Sequence, residues 1–161
     1  MSLATDSIFV AALQSNADLL EKLTEYIDDD GTVQYDETQR LYGTAIGLPD
    51  EDADNVPVPY VIVTFEGLTN DQGTKDDRYE SDYDTVNIGV TVVGRTLNGL
   101  HDLTQMVRDT ILSYLRTNDT AIMDYNFAAQ QIQYDSLKPC YWQVLTYQCD
   151  VENHINDNDD E

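Results

Sequence analysis

The run VNIGVTVVGR, residues 86–95, puts Val86, Ile88, Val90 and Val92 at every second position, with Asn87, Gly89 and Thr91 between them. Successive side chains of a strand point to opposite faces, so this spacing predicts a strand with one apolar and one polar side. Such a strand belongs in an antiparallel sheet that buries one face under helices and leaves the other wet.

Reading outward from it, LHDLTQMVRDTILSYL (100–115) follows with Leu100, Leu103, Val107, Ile111, Tyr114 and Leu115 on one helical stripe, and Asn98 is the expected cap. On the other side, PYVIVTF (59–65) predicts a strand over 60–66, since proline is tolerated at a strand's start and not in its middle. The polar stretch 67–83 between the two strands is too long for a tight hairpin and is expected to form an exposed loop. QQIQYDS and CYWQVLTYQCDVE are two closing strands separated by a turn at Lys138 and Pro139, and Tyr141, Leu145, Tyr147, Cys149 and Val151 share one face of the second. At the N-terminal side, SIFVAALQSNADLLEKLTEYI carries Ile8, Ala12, Leu19, Leu23 and Ile27 near helical period. Ser15 and Asn16 interrupt it, which predicts two helices with Asn16 capping the second and DDDG ending it. Residues 28–57 are a long connection with a short edge strand around Leu41 and Tyr42.

The order α-β-β-α-β-β predicts an α+β fold, an antiparallel sheet of four or slightly more strands with helices packed on one face. Residues 1–151 form one domain with an exposed loop at 67–83, and residues 152–161 an acidic C-terminal tail.

Charge narrows the function classes. The chain has 31 acids against 8 bases, a formal net charge of -23, so its field repels a phosphate backbone and specific nucleic-acid binding is not expected. Of those acids 21 fall in four polar stretches, 28–37, 50–54, 71–84 and 150–161, while the segments between them read as ordinary globular sequence. Lys is scarce, with only Lys22, Lys75 and Lys138, and Asp exceeds Glu. This composition resembles that of extreme halophiles, whose molar salt shortens the Debye length to about 3 Å; an acidic mesophile protein is the plain alternative. IFVAAL has no basic flank and no apolar run approaches 18 residues, so neither a signal peptide nor a membrane span is expected, and the reading is of a soluble chain made in the cytoplasm.

Cys140 and Cys149 lie nine residues apart in one expected strand, an odd offset that points them to opposite faces; two buried thiols are expected rather than a disulfide. YIDDDGTVQYDE, residues 26–37, imitates a calcium loop, with Asp28, Asp30 and Glu37 as candidate ligands around Gly31. Tyr26 stands where the first ligand should be, and two glycines interrupt the would-be exiting helix. A solvated helix-ending loop with Gly31 as a left-handed cap explains the same residues. His101 beside Asp102 does not make a catalytic pair, because adjacent helical residues do not face each other, and His154 lies in the tail. No nucleophile, zinc, phosphate-loop or dinucleotide pattern occurs, so neither an enzyme nor a cofactor is expected.

The sequence of segments carries one resemblance. A helical start, then Arg40-Leu41-Tyr42, PYVIV from Pro59, an exposed loop, VNIGVTVVGR, a helix of the LHDLTQMVRDTILSYL kind and a closing strand pair together resemble the tail-terminator, or tail-completion, proteins of long-tailed viruses. The resemblance implies a small non-catalytic α+β subunit of the virion neck or tail. Such a subunit assembles in the host cytoplasm as a homomeric ring, usually a hexamer, that stops tail-tube growth and joins tail to head. Its partners would be further copies of itself, the tail-tube protein and the head-tail connector. Genome DNA would pass the lumen without specific binding, and no membrane would be involved. The loop would then make a subunit or tube contact through Asp71, Lys75, Asp76, Asp77, Arg78 and Tyr79. A head-completion or connector protein of the same neck is the neighbouring alternative, and a calcium module the remote one. With the halophile-like composition, the resemblance points to a haloarchaeal virus or provirus.

The clustered acids make one expectation measurable. Melting temperature should fall as salt drops from molar to about 0.1 M, where the Debye length grows to about 10 Å and the clusters repel. Thermal melts across that range decide it, and a flat or rising melting temperature at low salt removes the halophile reading.

Overall fold

In a computed structural model, residues 2–47, 56–70 and 83–152 are described. A 3-10 turn, Ser2–Ala4, leads into α1 (Thr5–Gln14) and α2 (Ala17–Lys22). The expected break between these helices is present. Asn16 accepts hydrogen bonds from the backbone N–H groups of Asp18 and Leu19 at 3.0 and 3.3 Å, and its Nδ2 donates to Thr110 Oγ1 at 2.8 Å. One residue thus caps α2 and ties it to the long helix.

The strands that follow are β1 (Glu25–Ile27), β2 (Val33–Tyr35), β3 (Leu41–Gly43), β4 (Tyr60–Thr69) and β5 (Tyr83–Gly94). Helix α3 (Leu97–Thr117) precedes β6 (Ile122–Ala129), β7 (Gln133–Asp135) and β8 (Cys140–Glu152). β1 and β2 form a separate hairpin, while the main sheet runs β3-β4-β5-β8-β6 with β7 also paired to β8.

The fold is α+β, with a more elaborate sheet than four antiparallel strands. It has six strands and is mixed, because β3 pairs parallel to β4 through Leu41↔Val61, Tyr42↔Ile62 and Gly43↔Val63. The hairpin replaces part of the expected connection, so DDDG turns a hairpin rather than ending a helix, and Ile27 stands exposed on a strand. β6 is a further addition. Its alternation survives only at Tyr125 and Phe127, which pack on the core, and Met123 and the two alanines dilute the pattern.

Apolar positions of β5 meet those of β4, β8 and the helices in one core: Val61, Val63, Ile88, Val90, Leu145, Phe9, Leu13, Leu103 and Ile111 are all buried. Tyr147 lies at its aromatic centre, with ring centroids 5.0 Å from Phe9, 5.1 Å from Phe127 and 5.5 Å from Tyr125. A smaller cluster of Val56, Val58, Tyr60, Val93 and Cys140 packs separately. Cys140 and Cys149 therefore belong to different clusters, are both buried and form no disulfide, as their odd offset requires.

The turn into α3 differs from expectation. Thr96, not Asn98, is its cap: Thr96 Oγ1 accepts from Gly99 N at 3.0 Å, and Asn98 sits inside the first turn. Gly94 is required just before it, since a Cβ there would lie 2.9 Å from the Leu100 backbone. Thr96→Ala should cost about 1 kcal/mol in denaturant unfolding, and Asn98→Ala should stay within about 0.5 kcal/mol. Gly94→Ala should cost about 1–3 kcal/mol through overpacking.

Candidate functional site

Asp28 closes the β1–β2 turn. Its Oδ1 accepts from Asp30 N and Thr32 N at 3.0 and 2.9 Å, and its Oδ2 from Gln34 Nε2 at 3.2 Å. These bonds, led by that from Thr32, hold its carboxyl below the usual aspartate value. Asp30 points into solvent at the turn and Glu37 lies beyond β2. The segment is a strand-turn-strand hairpin and lacks the helix-loop-helix frame of a calcium loop. Gly31 (φ +80°) serves the hairpin turn, not a helix cap. Among the described residues no group of three or more His, Cys, Asp or Glu could hold a metal. His101 is exposed on α3, beside a shallow depression it shares with Arg108 and Phe127; the Arg108 guanidinium carbon lies 4.1 Å from the Phe127 ring centroid.

Asp71, Lys75, Asp76, Asp77, Arg78 and Tyr79 lie outside the described residues, as does His154. What is visible is the base of that loop. Asn70 Nδ2 donates to Tyr83 O at 3.1 Å and to the buried carboxylate of Asp84 at 2.7 Å, which ties the end of β4 to the start of β5.

Sequence reading missed a set of cations spent on backbone carbonyls. Arg40, 1% exposed, donates from Nε to Pro59 O at 3.0 Å and from Nη2 to Glu25 O. Arg95 donates to Val58 O at 2.6 Å, and Lys138 Nζ to Val56 O. These three side chains fasten the 56–59 segment, and Arg40 also fastens the hairpin. Burial pushes the Arg40 guanidinium below its usual value, opposed chiefly by the charge of Asp36, and Nη1 has no hydrogen-bond partner among the described residues. No motif marks such a site, because its acceptors are main-chain atoms that only the fold brings together.

Between the hairpin and the start of α3 this framework leaves a cavity of about 210 Å³. Ile27, Val33 and Leu103 supply apolar walls, and Lys22, Glu25 and Arg95 the charged ones. The chemistry available here is recognition of an anionic group with an apolar neighbour.

No protein-family model and no curated protein matches the chain. Among solved structures, one from Akkermansia muciniphila is similar over 96% of this chain and 79% of its own length, at 8% identity and a TM-score of 0.29. At that score it carries no argument about fold or function. No helix among the described residues is long and apolar enough to cross a membrane.

The clamp can be tested directly. Arg40→Met should lose about 1.5–3 kcal/mol for each charge-assisted hydrogen bond removed. It should also raise amide exchange in β1 and β2 ahead of β5. Unchanged stability and unchanged hairpin exchange would show that Arg40 does not hold the hairpin.

Proposed function

We propose that this chain is a structural subunit of a tailed virion, forming a homomeric ring at the head-tail junction that terminates tail-tube growth and joins tail to head. The order of segments supports the reading. The observation that carries it is a pair of separate exposed apolar patches on one subunit. Ile27, Val33 and Tyr35 form one on the hairpin; the other lies around the β7–β8 turn, where Leu137 is 93% exposed and Tyr134 and Trp142 stand exposed on opposite faces of the β7–β8 pair, since Trp142 follows Tyr141, the partner of Tyr134. Both border the 56–59 segment, the first beside Pro57 and Val58 and the second where Lys138 Nζ donates to Val56 O. A ring needs two unlike surfaces that meet when one contact is repeated by rotation, and a subunit with two such patches supplies them. Tyrosine and tryptophan suit such contacts, being apolar over the ring and able to hydrogen-bond at one atom.

The charge fits passage of a genome. Asn87, Gln148 and Asn126 align across β5, β8 and β6, with Thr85, Asp150 and Asp124 in the next row, and neither row contains a base. A surface of this kind offers no counter-charge to phosphate. The partners are then further copies of the chain, six in the usual ring, with the tail-tube protein on one side and the connector on the other. The subunit would assemble in the host cytoplasm and remain in the virion, with no catalysis, cofactor or membrane.

Removal of the protein from the assembling virus should give tails of irregular, excessive length, and restoring it should return one length, scored by electron microscopy. Tails of normal uniform length on unjoined, leaking heads would instead assign the head-completion role. A wild-type protein that stays monomeric both in molar salt and in the virion would remove the ring.

A further inference from the structure

We infer that the cavity between the β1–β2 hairpin and the start of α3 takes residues 153–161 of a second copy of this chain. The inference rests on the ring reading and names the contact that would close it. Lys22 and Arg95 face this space, Arg95 while its Nη2 donates to Val58 O, and Lys22 makes no hydrogen bond or ion pair among the described residues, in a chain with 31 acids. Glu25 is the one carboxylate among the described lining residues, and Arg40 lies against its backbone carbonyl. The 21-residue helix α3 adds the positive end of its dipole, since Thr96 and Gly99 also line the cavity.

The occupant must be acidic and must offer an apolar side chain to Ile27, Val33 and Leu103. Residues 153–161, NHINDNDDE, combine one apolar residue, Ile155, with Asp157, Asp159, Asp160 and Glu161. The acidic run 28–30 belongs to the hairpin itself and cannot serve. The 71–82 stretch is acidic but carries Lys75 and Arg78, which Lys22 and Arg95 would repel, and the run 50–54, DEDAD, has only Ala53 as an apolar side chain.

Reach makes the contact intermolecular. β8 ends at Glu152, opposite Tyr83, while the cavity lies past Gly94 at the other end of the 12-residue strand β5. The ends of such a strand are roughly 36 Å apart at ~3.3 Å per residue. Residues 153–161, even fully extended, span at most about 32 Å, and Ile155 comes only about 10 Å beyond Glu152. The segment therefore meets the cavity of a neighbour, not its own. Donor and acceptor lie at opposite ends of the subunit, which makes the contact head-to-tail. Its repetition by rotation closes a ring.

Two variants of the full chain test this in molar sodium chloride. One, Lys22→Glu with Arg95→Glu, breaks the acceptor. The other, Asp157→Asn, Asp159→Asn, Asp160→Asn and Glu161→Gln, neutralises the donor and touches no residue of the described fold. Light scattering should show wild-type rings and no assembly of either variant alone. An equimolar mixture should stop at a heterodimer, because only one donor and one acceptor remain intact. Thermal melts identify an acceptor variant that has failed to fold, and the donor variant then decides alone. Assembly of the donor variant like wild type overturns the inference and leaves the ring reading standing. Dissociation on neutralising Asp71, Asp76 and Asp77, with the donor variant still assembling, would assign the cavity to that loop instead. If wild type is monomeric, a fluorescent 153–161 peptide settles the contact separately. Binding weakened about tenfold or more by the acceptor substitutions, roughly 1.4 kcal/mol, upholds the contact, and absence of binding removes it.

Discussion

Every other element is positioned by the ladder of β5. It pairs with β8 continuously from Tyr83↔Glu152 to Gly94↔Tyr141, and with β4 from Tyr60↔Val93 to Thr69↔Thr85. Because side chains alternate, a slip of one residue would move Val86, Ile88, Val90 and Val92 out of the core together. Burial of those four thus fixes the register, and the register fixes where α1, α2 and α3 can lie. The one irregularity toward β4, between Phe65 and Gly67, falls before the strand reaches the loop base at Asn70. A bulge bends a strand and increases its twist, which re-aims the chain where it leaves the sheet.

How much of this could be read beforehand followed from local signal strength. β5, α3 and the α1–α2 break were legible because each is marked within a dozen residues, by strict alternation, by a long apolar stripe or by Asn16 in a capping position. The β1–β2 hairpin was not. Its strands are three residues each, its turn is built from aspartates that equally suit a helix end, and Ile27 continued a helical spacing by coincidence. β6 escaped because an edge strand needs only an intermittent apolar face; the edge strand at Leu41 and Tyr42 was legible, but its parallel direction was not, because nothing in three residues reports it. The site was less legible than the fold. Asp28, read as a possible ligand, is a turn-closing acceptor. The cavity walls come from α2, β1, β2, Pro59 just ahead of β4, the end of β5 and α3, and no window of sequence contains them together.

The scarcity of cations sharpens the contrast between the interior and the surface. Arg40, Arg95 and Lys138 are committed to main-chain carbonyls near the 56–59 segment, so few bases remain to neutralise acids outside. Most carboxylates of the sequence must then rely on solvent and not on cations. A contact between copies would be confined to places where carboxylates do not meet carboxylates, such as the exposed apolar side chains and the Lys22–Arg95 rim.

The two thiols, buried in separate clusters, form a pair of chemical reporters. Burial pushes the Cys149 thiol up to about 12, so in native protein it is neither ionised nor reachable at neutral pH. Cys140 sits under the layer that Arg95 and Lys138 fasten. An alkylating reagent would therefore mark Cys140 whenever that layer lifts and Cys149 only when the main core opens. A single mass spectrum after pulsed labelling would resolve the peeling of one layer from the melting of the whole.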